Sequence, residues 1–273
     1  MTLDLTLHTA PAVPLEAEVL TPARLSGLSA LEAAKLTVVH GNQSAELGEF
    51  FRVDGASGEE IHLTGDLQRI KMVGAGMASG RIVVHGSAGM HLGSGMSGGE
   101  IVVEGDAGDW VGAEMTGGRI VVRGNAGHMV GAVYRGGHVG MRGGEILVYG
   151  SAGNEVGSGM RRGLIAITGD SGDFTGVNLL AGTVVVFGRL GQRTGAGMRR
   201  GTIVSMHAAE MLPTFTFACT YRPVILRLYL PYLRGLGLPV DDAQVQGSYQ
   251  RWCGDAIELN RGEILLLEAD DTA

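Results

Sequence analysis

The sequence predicts an all-β chain: a parallel β-helix of about eight coils, with a ~19-residue repeat and mixed α/β capping segments at both ends. The first observation behind this is a period. Gly99 to Gly118 (GEIVVEGDAGDWVGAEMTGG) is one unit of an array. Aligned on one apolar residue, the unit recurs at Ile61, Ile82, Ile101, Ile120, Ile146, Ile165, Val184 and Ile203, in steps of 21, 19, 19, 26, 19, 19 and 19 residues. A unit this short cannot bury its own apolar face, and stacking neighbours bury it instead. The second observation is what each unit contains. Ile101-Val102-Val103 is β-branched and bounded by glycines, as a short strand requires. Two more short runs follow, at Asp109-Trp110-Val111 and around Met115. The unit has no room for a strand, a full helix and two turns, so three short strands with tight corners are expected. The third observation is glycine. There are 47 in 273 residues, more than double the usual share, spaced periodically among valine and isoleucine. That argues for order rather than low complexity.

Columns of equivalent residues justify each part of a coil. The aligned isoleucines are expected to stack inward, as are Val73, Leu92, Val111, Val130 and Val156 from the second run. Met77, Met96, Met115, Met141, Met160, Leu179 and Met198 form a third column. Thioethers can bind soft metals, but methionine also fills irregular core gaps, and a core ladder is the expectation here. Gly74-Ala75-Gly76 and its copies resemble half of a nucleotide-binding loop. Repetition at solenoid spacing, with no following helix, makes them corner residues. Asp66, Ser87, Asp106, Asn125, Ser151 and Asp170 are expected to support turns.

Along the chain, residues 1–57 form an N-terminal cap, 58–206 the solenoid and 207–273 a C-terminal cap. In the first segment Leu3 to Leu7 and Leu15 to Leu20 alternate like strands. Thr21-Pro22 is a helix start, Ser29 to Lys35 a short helix and Leu36 to His40 a strand. Such a segment would cover the open end of the stack, which otherwise invites aggregation. The step of 26 marks an insertion of seven residues, Val133 to Val139, carrying Tyr134, Arg135 and His138. Insertions leave a solenoid as loops on one face, often a binding face, although a plain surface loop fits as well. Thr220 to Leu236 is predicted helical, kinked or interrupted at Pro231, and Ile264 to Leu267 a strand.

Composition excludes several classes. Met1 to Ala10 lacks a basic region and a long apolar core, so no signal peptide is expected. No run reaches the ~18 apolar residues of a membrane span. Cys219 and Cys253 are too few for a disulfide framework or an iron–sulfur cluster, which points to a reducing, cytoplasmic setting. A net charge of −7 disfavours nucleic acid. The eight histidines are scattered and show no ligand spacing, so no metal site is expected. Neither GxSxG nor a cysteine–histidine pairing is present, so no catalytic residues are assigned.

Two outward columns are more apolar than a solvated surface needs. One is Val83, Val102, Val121, Leu147 and Val185; the other is Met72, Trp110, Met129 and Phe174, interrupted by His91, Glu155 and Arg193. Each fits contact with another subunit, or cover by the chain's own terminal segments. A basic edge follows the methionine column: Arg142, Arg161, Arg162, Arg199 and Arg200, with Arg135 on the insertion. Guanidinium groups pair well with carboxylates, so this edge fits a polyanion or an acidic partner; it also fits a solvated edge paired with local acids.

The repeated G-x-I-V-V-x-G-(D/N/S)-A-G-x-x-V-G-x-x-M-x-x-G pattern resembles the C-terminal β-helix domain of the glutamate synthase large subunit. The flanks narrow this. Leu25-Ser26-Gly27-Leu28 to Gly41-Asn42, Leu230-Pro231-Tyr232-Leu233, and Gly254-Asp255 to Arg261-Gly262-Glu263-Ile264-Leu265 resemble the C subunit of formylmethanofuran dehydrogenase. In that family one branch is a tungsten or molybdenum dehydrogenase. The other is a bacterial complex that moves formyl from formyl-tetrahydromethanopterin to a methanofuran-type coenzyme and hydrolyses it to formate. Only Lys35 and Lys71 are lysines among 21 basic residues, a GC-rich bias that tilts toward the bacterial branch. The resemblance implies a right-handed β-helix scaffold whose partners are amidohydrolase-like, formyltransferase and dehydrogenase-B-like chains. It implies chemistry on those partners; because methanofuran-type coenzymes carry glutamates, the arginine edge is expected to hold a carboxylate-rich coenzyme tail or an acidic partner. The alternatives are the same scaffold in the dehydrogenase, and a free-standing glutamate-synthase-like interaction module.

Overall fold

The computed structural model describes residues 2–56 and 58–268. Met1, Ser57 at the end of the N-terminal segment, and 269–273 at the end of the C-terminal segment lie outside the described residues. The chain opens with β1 (Thr2–Leu7), β2 (Leu15–Glu16), α1 (Pro22–Leu25), α2 (Ala30–Ala34), β3 (Thr37–His40), β4 (Gln43–Glu46) and β5 (Phe51–Gly55). The repeats supply β6 (Glu60–Thr64), β7 (Ile70–Lys71), β8 (Arg81–His85), β9 (Glu100–Val103), β10 (Arg119–Val122), β11 (Arg142–Val148), β12 (Arg162–Ile167), β13 (Thr183–Val186) and β14 (Thr202–Ser205). After them come β15 (Thr216–Tyr221), α3 (Leu226–Gly235), α4 (Asp242–Gln246), β16 (Tyr249–Gly254) and β17 (Gly262–Leu267).

One 13-stranded sheet runs in the order β15-β16-β17-β14-β13-β12-β11-β10-β9-β8-β6-β1-β5. From β1 through β14 to β17 neighbours are parallel, in the β-helix-like manner the period requires. The isoleucine column is in strict register, Ile82 on Ile101 on Ile120 on Ile146. The ladder reaches into the terminal segments: Leu3 pairs with Ile61, and Ile203 with Ile264. Antiparallel β5 covers one end, and antiparallel β16 and β15 extend the other.

The interior is a continuous apolar core. Ile101, Val103, Val111 and Met115, one coil's contribution, are each fully buried. A side-chain period of two in the strand directs Ile101 and Val103 inward and Val102 outward. The methionine column is buried throughout, and its role is packing. A Cβ on Gly99 would lie 2.6 Å from the Met77 methyl, and one on Gly118 2.6 Å from the Met96 methyl. Each methionine therefore caps the corner glycine of the next coil, where no larger residue fits. The second inward column runs past Val156 into Thr175 and Thr194, whose buried hydroxyls donate to Gly172 O and Gly191 O at 3.0 Å.

Three strands per coil is corrected. In the coils after β7 (which pairs with β2) only the first run forms a ladder strand; the residues just ahead of the second run make single bridges, such as Ala88 to Ala107 and Ala107 to Ala126. The cause is a column of left-handed residues that breaks the extended backbone: Met72, His91, Trp110, Met129, Glu155, Phe174 and Arg193 all have φ between 57° and 66°. Short polar residues do more than shape turns. Asn125 N donates to Asp106 Oδ1 at 2.7 Å and Ser151 N to Asn125 Oδ1 at 2.9 Å, so each side chain satisfies the backbone of the coil above.

The helix expected over Thr220 to Leu236 is also corrected. Thr220 and Tyr221 belong to β15, and α3 passes through Pro231 without interruption. Proline costs that helix one N–H; burial of Leu226, Leu230 and Leu233 against the sheet holds it. Tyr232 pins it further, donating to Glu145 at 2.7 Å and accepting from Arg119 at 3.0 Å. These two residues end an alternating ladder in which Arg81 bridges Glu60 and Glu100, and Arg119 bridges Glu145. No helix among the described residues is long and apolar enough to cross a membrane.

Candidate anion-binding cleft

The basic edge forms a cleft of about 540 Å³, lined by Arg161, Arg162, Arg199, Arg200 and Arg261 with Leu180, Thr183 and Tyr229. The repeat places the first four. Arg161 N and Arg199 N each donate to a carbonyl of the preceding coil's apolar column, Met141 O at 2.8 Å and Leu179 O at 2.7 Å. Equivalent arginines are thereby held at equivalent corners. The structure adds Arg261. Thr202 pairs with Glu263, which sets Arg261-Gly262 in line with Arg200-Gly201. The shared Arg-Gly dipeptide before a strand was the signal in the sequence. Tyr229 arrives from α3, which no period could reveal.

Earlier in the stack, basic residues are paired along the Glu60 to Glu145 ladder. At the cleft that ladder position carries Leu164, Thr183 and Thr202 instead of acids. Among the described residues, Arg199 alone of the five has a carboxylate within 4 Å, Glu258 at 3.1 Å. Guanidinium stays charged at any physiological pH. Four exposed cations with no carboxylate within 4 Å among the described residues make this concave surface locally positive on a chain with net charge −7. Arg142 is opposite Arg162 in the sheet but does not line the cleft, and neither does Arg135.

The insertion divides its residues. Tyr134 folds back over the left-handed column: its ring stacks on Trp110 at 4.8 Å and its hydroxyl meets His91 Nδ1 at 2.8 Å. Burial raises the Tyr134 pKa, and burial with Lys71 nearby lowers that of His91. A neutral ring accepting a hydrogen bond from the tyrosine hydroxyl fits both shifts. Arg135 is exposed, while His138 lines a second hollow of about 460 Å³ that shares Leu180 and Arg199 with the arginine cleft.

The two apolar columns part company. Val121, Leu147 and Val185 are buried beneath α3, with Val102 packed at the margin of the same cluster. Contact of Val121 with another subunit is corrected: the chain's own C-terminal segment covers it. Val83 is buried as well, at 6% exposure. Met72, Trp110, Met129 and Phe174 remain half-exposed along one flank. Among the described residues no group of three or more histidine, cysteine, aspartate or glutamate residues is placed to hold a metal ion.

No protein-family profile matches the chain. It is 46% identical over 85 residues to the C subunit of molybdenum-containing formylmethanofuran dehydrogenase 1 from Methanosarcina barkeri, a stretch covering 29% of this chain and 28% of that one. It is 40% identical over 87 residues to the C subunit of tungsten-containing formylmethanofuran dehydrogenase 2 from Methanothermobacter wolfeii, covering 30% and 32%. The chain thus spans less than a third of these curated relatives. A solved chain from the formyltransferase/hydrolase complex of Methylorubrum extorquens, in complex with methylofuran, matches far more: TM-score 0.92 and 34% identity, over 97% of this chain and 100% of that one. A ladder in register from end to end, likeness to curated C subunits and a full-length solved relative converge: the chain belongs to the family of formylmethanofuran dehydrogenase C subunits.

Proposed function

We propose that the chain is the non-catalytic C subunit of a cytoplasmic formyltransferase/hydrolase complex in one-carbon metabolism. The complex passes formyl from formyl-tetrahydromethanopterin to a methanofuran-type coenzyme and releases formate. The observation that carries this reading is the full-length likeness to a chain of such a complex, one solved with methylofuran. In this reading amidohydrolase-like, formyltransferase and dehydrogenase-B-like subunits hold the chemistry. The chain is a right-handed β-helix of about eight coils at 58–206, capped by 1–57 and 207–273. The flank of Met72, Trp110, Met129 and Phe174 faces a partner. Arg161, Arg162, Arg199 and Arg200, with Arg261 and flanked by Arg142 and Arg135, hold the coenzyme's anionic tail. Four guanidinium groups without acidic partners among the described residues support that last assignment.

The curated relatives favour a second reading, the same scaffold in a molybdenum or tungsten dehydrogenase. Native pull-down of the chain from its own cells separates the two. Formyltransferase and amidohydrolase partners, formate release and little molybdenum or tungsten are expected. Abundant molybdenum or tungsten with iron–sulfur subunits moves the chain to the dehydrogenase. Recovery alone leaves a free-standing β-helix module and sinks both.

A further inference from the structure

The C-terminal end of the sheet carries a surface that the fold leaves uncovered. Among the described residues, strand β15 is the sheet's last strand and pairs only with β16. All six of its residues are exposed. Its other edge presents a row of backbone donors and acceptors with no neighbouring strand among the described residues. Edge strands in soluble proteins are normally guarded by lysine, proline or an inward charge. The strand TFACTY has none of these.

Helix α3 continues the surface. Its buried stripe, Leu226, Leu230 and Leu233, faces the sheet. A second apolar stripe faces outward: Val224 just before the helix, Leu228 and Tyr232 are 72%, 68% and 40% exposed. A spacing of four puts them on one face. Tyr221 lies opposite Tyr249, whose ring is buried in the cluster under α3. Opposed residues share a sheet face, so Tyr221 emerges on the same side as α3. Edge and helix thus form one apolar surface.

Its charge selects the occupant. Residues 211–240 contain three arginines and no aspartate or glutamate. Arg234 is paired with Asp242 at 2.8 Å, and Arg222 and Arg227 have no carboxylate within 4 Å among the described residues. A second copy docking through this same surface would bring no carboxylate to these arginines, because residues 211–240 carry none. We propose that β15 and the outer face of α3 form a strand-addition site for a different subunit. The incoming segment is extended, hydrogen-bonds along the edge of β15, lays apolar side chains on Val224 and Leu228, and brings acidic side chains to Arg222 and Arg227. This rests on the reading of the chain as a subunit of a complex.

The test compares amide hydrogen exchange in the isolated chain and in the complex purified through it. A photo-cross-linker replaces Leu228 in a parallel sample. At least about tenfold slower exchange at 216–221 in the complex is expected, with cross-links to an acidic, extended segment of another subunit. R222E/R227E should weaken retention of that subunit, while L31E, at a 78%-exposed leucine in the N-terminal segment, should not. Unchanged exchange at 216–221 within an intact complex overturns the strand-addition site and leaves the subunit reading standing. Cross-links to a second copy also overturn it. A chain that purifies with no other subunit overturns both.

Discussion

Arg199 points its Nε at Glu258 Oε2, 3.1 Å away, so one cation of the arginine cleft already holds a carboxylate from the chain's own C-terminal segment. Glu258 is the internal competitor of any external anion there. E258Q should release Arg199 and tighten binding of a short oligoglutamate by about 1.4- to 5-fold, the worth of an exposed ion pair. Isothermal titration at low salt checks this, and equal affinity for both proteins removes the competitor role.

Reversing Arg161, Arg162, Arg199 and Arg200 to glutamate should weaken coenzyme retention while leaving the complex assembled. The four line one cleft and none is part of the apolar core. Retention is read from coenzyme co-purifying with the complex, and assembly from the polypeptides present in the same preparation. The parent should lose coenzyme steeply with added salt, because its contacts are between exposed charges.

Two leucines of α3 should separate stability from assembly. Leu230 is fully buried beneath the helix and Leu228 is 68% exposed. L230A should cost about 2–5 kcal/mol in urea unfolding of the isolated chain. L228A should stay within about 0.5 kcal/mol there, so any defect it shows in the complex reports on the outer surface.

Gly93 and Gly95 share a left-handed backbone, φ +62° and +64°, but not their surroundings. A Cβ on Gly93 would sit 2.5 Å from the Ile120 Cδ1, whereas Gly95 has open space. The site equivalent to Gly95 is occupied by Glu114 and Asn178 in other coils, at φ +54° and +55°. G95N should therefore cost no more than about 1 kcal/mol. G93A should cost about 2–4 kcal/mol, strain and overpacking together. Thermal melts of the two variants check the order.

Burial, with Lys71 nearby, holds the His91 pKa below its ordinary value. The unfolded chain therefore takes up this proton at a higher pH than the folded chain does. Stability should fall as pH drops below about 6.5 and level off once the folded ring is charged. Asparagine tolerates the left-handed backbone at this position. H91N should show a smaller loss of melting temperature between about pH 7 and about pH 5 than the parent.

Contacts one period apart were legible in the sequence, and contacts without a period were not. Ile101 meets Ile120, and Met96 meets Gly118, because each pair is separated by roughly one repeat. A one-residue slip would turn every inward side chain outward, so pattern alone fixes register. The same logic located Arg161, Arg162, Arg199 and Arg200 on one edge. It overestimated the strands per coil, because the left-handed residues at the Trp110 column look like ordinary strand formers in sequence.

Tertiary structure alone decided what the non-repeating segments do. The sequence pointed Val121 toward a partner, with cover by the chain's own ends as the alternative. Only the packing of Leu226, Leu230 and Leu233 shows that α3 covers it. Tyr134 could have pointed anywhere from its insertion, and it is fixed by His91 and Trp110, 43 and 24 positions away in the chain. Glu258 reaches Arg199 across 59 positions. A repeat encodes its neighbours locally, since every coil meets the same environment. A single non-repeating segment is positioned by burial summed over many coils, and that sum exists only in the folded chain.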